Sequence, residues 1–317
     1  MTSLIEQAAL RLEQLKNAGA EIPPAAPAVP EVAIAQAAAP LTAPLTAPVT
    51  APVVEKAAAA SSRSVTIDLD ALSKAGIVTP HAPRSAIADQ YRVIKRPLIA
   101  NAVGKGPAPI ANGNLIMVTS ALPGEGKSFT AINLAMSIAM ELDYTVMLVD
   151  ADVARPSVLN KLKLKPSPGL LDLLVSGSFD LSNVLLKTNI EKLTLLPSGT
   201  PHPRATELLA SDAMARLLED IGNRYNDRII IFDSPPLLLT TESRVLASHM
   251  GQIVMVVKAE STLRSDVRNA LSTIENCPVK FMLLNQATTP FKDGYGYGYG
   301  YGYGYGYGYG HENKTGS

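Results

Sequence analysis

Six short runs of almost unbroken apolar residues recur through the second two-thirds of this chain and limit what it can fold into. They are LIMVT at 115–119, TVMLV at 145–149, LTLL at 193–196, RIIIF at 228–232, QIVMVV at 252–257 and KFMLL at 280–284. Helical periodicity lies between several of them, over 127–141, 204–221, 241–248 and 262–275. A strand that is apolar on every residue has both faces covered, so the pattern predicts an α/β three-layer sandwich with a mostly parallel central sheet.

The flanking segments are of another kind. Residues 3–18 show Leu4, Ala8, Leu12 and Leu15 at three- and four-residue steps, with Gly19 as a stop, which predicts an amphipathic helix over 1–19. Residues 21–60 hold 15 Ala and 8 Pro, a composition that offers little apolar area to bury, so 20–63 reads as a disordered Ala/Pro linker. Val65, Ile67 and Leu69 alternate in a short ordered piece at 64–79. A helix is expected from Arg84 to about Val103, kinked or divided by Pro97. The folded domain is thus placed at 64–290 and a flexible Tyr-rich tail at 291–317.

Composition removes several functions. Lys plus Arg number 28, as do Asp plus Glu, so no overall basic excess points to nucleic acid. One cysteine, Cys277, excludes an intramolecular disulfide or a thiolate metal cage, and four scattered histidines make a histidine metal centre a poor fit. Nothing reads as a membrane span or secretory signal, and the expectation is a reducing, cytoplasmic location.

Ala121-Leu122-Pro123-Gly124-Glu125-Gly126-Lys127-Ser128 lies between a predicted strand and a predicted helix, where a phosphate-binding loop makes physical sense. Gly124 and Gly126 let main-chain amides turn toward phosphate oxygens, and the helix start adds unpaired N–H groups. Lys127 can reach the β and γ phosphates and Ser128 can ligate magnesium. Glu125 and Phe129 fall within the same candidate nucleotide site. Ala121 stands where the usual pattern has Gly.

Asp150-Ala151-Asp152 ends a second strand and is followed by Arg155-Pro156; Asp233 ends a third and leads into Ser234-Pro235-Pro236. In open parallel sheets this carboxyl edge holds the ligand. Gathering acids there calls for magnesium, with Asp152 and Asp233 as candidate ligands and Arg155 as a candidate phosphate contact. Asn285, ending the last strand, could read a base edge or hold a loop.

Eight of eleven tyrosines, 295, 297, 299, 301, 303, 305, 307 and 309, alternate with glycine in the tail. Glycine opposes strand order, so the tail reads as a repeated phenol acceptor with a high local concentration.

Together, ALPGEGKS at 121–128, LVDADVARPS at 148–157 and IIIFDSPP at 229–236 resemble the bacterial tyrosine autokinases of the polysaccharide co-polymerase class, in particular the type associated with exosortase and exopolysaccharide clusters. PHPRATELLAS at 201–211 also looks like that family. The resemblance implies a P-loop kinase using ATP and Mg2+, with Lys127, Asp150, Asp152 and Asp233 as catalytic residues. Either Asp150 or Asp152 could handle the phenolic proton. It implies trans-autophosphorylation of the tail, regulation of exopolysaccharide synthesis or export, activation by an inner-membrane chain-length regulator, peripheral association through that partner, and a cognate tyrosine phosphatase. It also implies ring assembly through Asp89, Arg92 and Lys95, where Asp and Lys replace the commoner Glu and Arg. Ala154 departs from the Arg that many relatives carry two residues after the second Asp. Partitioning-type P-loop ATPases are the neighbouring alternative, but Leu122 occupies the place of their intersubunit lysine. A non-catalytic nucleotide-sensing module is the other.

Overall fold

The computed structural model describes residues 63–177, 180–224 and 227–288. The expected N-terminal helix, the Ala/Pro linker up to residue 62 and the tyrosine run lie outside them. Along the chain come β1 (Arg63–Val65), α1 (Leu69–Lys74), α2 (Ala86–Ala102), β2 (Leu115–Ser120), α3 (Lys127–Ala139), β3 (Thr145–Asp150), α4 (Val158–Lys161) and α5 (Leu170–Ser176). A 3-10 turn at Leu181–Asn183 leads to β4 (Leu186–Thr188) and β5 (Leu193–Leu196). There follow α6 (Ala205–Leu209), α7 (Asp212–Arg224), β6 (Arg228–Asp233), α8 (Glu242–Ser248), β7 (Gln252–Lys258), α9 (Arg264–Ser272) and β8 (Val279–Asn285).

The eight strands form one sheet in the order β1-β4-β5-β3-β6-β2-β7-β8, and only the β4–β5 pair is antiparallel. Alternation of side chains sends neighbours on one strand to opposite cores. In β2, Leu115 and Met117 join one cluster with Leu170 and Leu174 of α5, Leu217 of α7 and Ala270 of α9. Ile116 and Val118 join the other with Leu72 of α1, Tyr91 and Leu98 of α2 and Ile132 of α3. The three-layer expectation is met.

Local chemistry sets several element ends. Asp68 and Ser85 accept from the amides of Ala71 (2.9 Å) and Ala88 (3.2 Å), capping α1 and α2. Gln252, fully buried in β7, donates to the carbonyl oxygens of Leu98 (3.0 Å) and Gly113 (2.5 Å) and accepts from Asn101 (2.9 Å). With these bonds made, the buried amide ties α2 to the sheet without a desolvation penalty.

Three expectations need correction. Pro97 does not divide α2, which runs unbroken through it. The carbonyl left without a donor belongs to Val93, four residues earlier, and Val93 is 71% exposed, so water reaches that turn. The helix expected over 204–221 is two helices, α6 and α7, parted at Ala210 and Ser211, where the Ser211 hydroxyl accepts from Met214 N at 3.3 Å. The alternation at 65–69 spans two elements, β1 and the start of α1. Among the described residues no helix is long and apolar enough to cross a membrane.

Candidate active site

β2 ends at Ser120 and α3 begins at Lys127, leaving the glycine-rich loop at the carboxyl edge of the sheet. Gly124 and Gly126 have φ of 81° and 99°, a region that L side chains rarely adopt. At Gly126 a Cβ would also meet the Asn285 side-chain amide, which would have to shift. Gly126 is the N-cap of α3 and no side chain caps the helix, which leaves its first amides free for an anion.

Two neighbouring strands bring the acids. Asp150 of β3 and Asp233 of β6 are paired residues in the parallel ladder, so their carboxylates leave the sheet side by side. Asp150, Asp152 and Asp233 are all buried. Lys127 Nζ meets Asp152 Oδ2 at 2.5 Å, and the Arg155 amide donates to Asp152 Oδ1 at 3.2 Å. Asp150 Oδ2 accepts from the amides of Ser157 (3.1 Å) and Val158 (3.0 Å) and so anchors the start of α4. Asp150 Oδ1 and both Asp233 oxygens have no hydrogen-bond partner.

Such a cluster is hard to ionise. Burial, with the Asp233 charge second, pushes the Asp150 carboxyl up to about 7, against the pull of the Val158 amide. Burial lifts Asp233 to about 6; the Lys127 ammonium and the nearby Ser128 hydroxyl pull it back, although no hydrogen bond to its oxygens forms. Buried oxygens without donors, beside a serine at a helix start, suit a divalent cation with oxygen ligands. Among the described residues no group of three or more His, Cys, Asp or Glu forms a preformed cage.

A cavity of about 490 Å³ opens on this edge, lined by Gly124, Gly126, Lys127, Ser128, Phe129, Lys161, Asn285 and Gln286. Of the expected nucleotide contacts, Glu125 and Arg155 do not line it. Glu125 is buried; its Oε2 accepts from Leu122 N at 2.7 Å and its Oε1 from the Thr262 hydroxyl. The carboxylate is thereby committed to bracing the loop. Arg155 is exposed, and only its amide touches the acids. Asn285 does reach the cavity, and its amide donates to the Glu125 carbonyl at 2.9 Å, which is the loop-holding alternative.

Lys161 and Gln286 were not foreseen. Lys161 sits on a helix of four residues, too short for periodicity to flag, and Gln286 takes a positive φ of 56° just past β8. Thr262 was also missed, its contact spanning 137 positions.

The candidate assembly residues divide. Asp89 and Arg92 pair at 2.5 Å on the exposed side of α2, with Arg92 also donating to the Pro83 carbonyl at 3.0 Å. Lys95 is buried, meeting Glu141 Oε1 at 2.7 Å and the Ser137 carbonyl at 2.5 Å, so it is committed inside its own chain. Tyr295, Tyr297, Tyr299, Tyr301, Tyr303, Tyr305, Tyr307 and Tyr309 lie outside the described residues.

Thr262→Val should leave Glu125 Oε1 buried without a donor. The expected result is a loss of about 1–2 kcal/mol of stability and a roughly three- to tenfold weaker nucleotide affinity, with Thr262→Ser close to the parent. Denaturant unfolding and nucleotide titration check both, and unchanged affinity in the valine variant refutes the brace.

Residues 113–282 match a family model described as an AAA domain. Tyrosine-protein kinase YwqD of Bacillus subtilis (strain 168) is 30% identical over 206 residues, covering 65% of this chain and 83% of that protein. Among solved structures, the chimerical protein CapA2B2 superposes with a TM-score of 0.57 at 28% identity, over 69% of this chain and 99% of that one. The kinase domain of Escherichia coli tyrosine kinase ETK does so with a TM-score of 0.51 at 27% identity, over 59% and 73%.

Proposed function

The chain belongs to the bacterial tyrosine-protein kinases, and on that premise we propose that it transfers the γ-phosphoryl group of ATP to the tyrosine run at the end of a second copy of itself. The observation that carries this reading is the pair of buried carboxylates, Asp150 and Asp233, abreast beside a glycine loop and its lysine, with three oxygens lacking any donor.

In this scheme the loop amides and Lys127 hold the β and γ phosphates, which requires Lys127 to exchange Asp152 for phosphate. Ser128, Asp233 and the released Asp152 are the residues that would hold magnesium. Magnesium, when bound, neutralises charge on the phosphate oxygens. Asp150 takes the phenolic proton; a carboxyl near 7 is matched to proton transfer at ordinary pH. The tyrosine oxygen bonds to the γ phosphorus, the bond to the bridging β–γ oxygen breaks, ADP leaves, and the proton ends on Asp150. Asp152 could take that proton instead, but in this scheme, once Lys127 has released it, it is engaged in holding magnesium.

Control of exopolysaccharide synthesis, chain length or export is the matching cellular role. An inner-membrane regulator would serve as activator, and a phosphatase would reset the tail. Self-association through the exposed Asp89 and Arg92 would supply the second copy, and the location is cytoplasmic at the membrane face.

A mixing experiment tests the core of this. Full-length Lys127→Met protein is the acceptor, and an enzyme with all eight tail tyrosines changed to Phe is the donor. With ATP and magnesium, phosphotyrosine should map to 295–309 of the acceptor. ADP formation without phosphotyrosine would favour a partitioning-type ATPase, and nucleotide retention with neither would favour a sensing module; each outcome defeats the kinase reading.

A further inference from the structure

We propose that Lys161 is a second phosphate-binding cation, directed at the terminal phosphate of the bound nucleotide. The assignment rests on the nucleotide reading of the cavity and concerns a residue that no sequence pattern singled out.

Strand order places the groups. The glycine loop follows β2, with β6 and β3 on one side and β7 and β8 on the other. The acids Asp150, Asp152 and Asp233 come from the β3–β6 side, and Asn285 and Gln286 from the end of β8. A nucleotide whose phosphates lie on the loop can therefore point its terminal phosphate toward the acids and its base toward β8. Lys161 lines the same cavity and is carried by α4, whose start is bonded to Asp150.

Its placement is built in. α4 starts at Val158, whose amide, with that of Ser157, donates to Asp150 Oδ2. Lys161 follows one turn later, so the same carboxylate that lies abreast of Asp233 fixes the helix that carries the lysine. Val158 and Leu162 on either side of it are buried in the core on that face, which pins α4 while Lys161 itself stays exposed.

Lys127 is occupied by Asp152. The Lys161 ammonium makes no hydrogen bond or ion pair with the described residues and is close enough to draw on the Asp233 charge. An ammonium with no bonded partner among the described residues, lining a cavity beside the glycine loop and within electrostatic reach of Asp233, gains most from an anion bound in that cavity. The γ phosphate is such an anion, and a free, flexible ammonium can follow it as a point charge.

Affinity rather than activity reads this out. With magnesium present, Lys161→Met should bind the β,γ-imido analogue of ATP about tenfold more weakly than the parent, while its affinity for ADP stays within twofold. Lys161→Arg should recover most of the loss. Retained ADP binding doubles as the check on folding, and Lys161→Gln provides a second neutral variant. Equal weakening toward both nucleotides, or no change toward either, overturns the assignment. Because no phosphorylation is measured, failure of the kinase reading would show in the mixing experiment and leave this result to stand on its own.

Discussion

Asp233→Asn should make the nucleotide-free protein more stable while removing at least 99% of its kinase activity. Asp233 is completely buried, its oxygens accept no hydrogen bond, and its carboxyl is lifted from 3.8 to about 6. A raised carboxyl means that the folded state binds the proton more tightly than the unfolded chain does. Ionisation at neutral pH therefore costs folding free energy, and the penalty disappears as the pH falls through 6 toward 4. Asn carries no charge to desolvate, so the expected gain is on the order of 2 kcal/mol, or about 5 °C in thermal midpoint for a domain of this size. The gain should be largest at pH 8 and close to nil at pH 4. Magnesium and ATP should raise the midpoint of the parent and leave that of the variant nearly unmoved, because the stored charge is what the cation satisfies. Thermal melts across pH, with and without magnesium-ATP, check both signs. A variant less stable than the parent at pH 8 would remove the claim that this carboxylate is held under strain for a ligand.

The parts of this site that the sequence makes legible are those whose chemistry sits at the end of a regular element. Asp150 and Asp233 each close a strand that is buried on both faces, and such strands announce themselves by unbroken apolar runs. The glycine loop is legible for the same reason, lying between a strand and a helix. β1 and β4 escaped because each has three residues and part of each is exposed, so neither carries a run long enough to detect. α6 and α7 read as one helix because the apolar period continues across Ser211, while the break depends on a hydroxyl bond that periodicity does not register. Glu125 was read as a ligand contact from its position within the motif. Its side chain bonds to Thr262, which is brought in by the loop after β7, a neighbour that only the three-dimensional strand order reveals. Lys95 shows the converse limit. The family resemblance grouped it with Asp89 and Arg92, yet each three-residue step falls about 60° short of a full turn, so two steps from Asp89 carry the lysine about 120° round the helix, toward Ser137 and Glu141.

Lys127→Met should lower phosphoryl transfer by about a thousandfold, since on the proposed mechanism the lysine neutralises charge at the phosphates. Its effect on stability should have the opposite sign to that of Asp233→Asn. Lys127 and Asp152 are nearly buried, with side chains 13% and 5% exposed, and meet at 2.5 Å. Removing only the cation leaves Asp152 with the Arg155 amide as its remaining donor, in electrostatic reach of Asp150 and Asp233. The cost of breaking such a pair is about 3 kcal/mol. If unpaired charge is the cause, Asp152→Asn in the Lys127→Met background should recover most of that stability and none of the activity. The four proteins of this cycle, unfolded in denaturant and assayed for phosphotyrosine, separate the two roles of the lysine. A double variant as unstable as Lys127→Met would mean that the lysine stem, by packing along the loop, matters more than its charge. On the proposed mechanism the site then divides: Lys127 holds it together by neutralising one acid, whereas Asp233 strains it by remaining unneutralised, and nucleotide with magnesium would relieve the second while displacing the first.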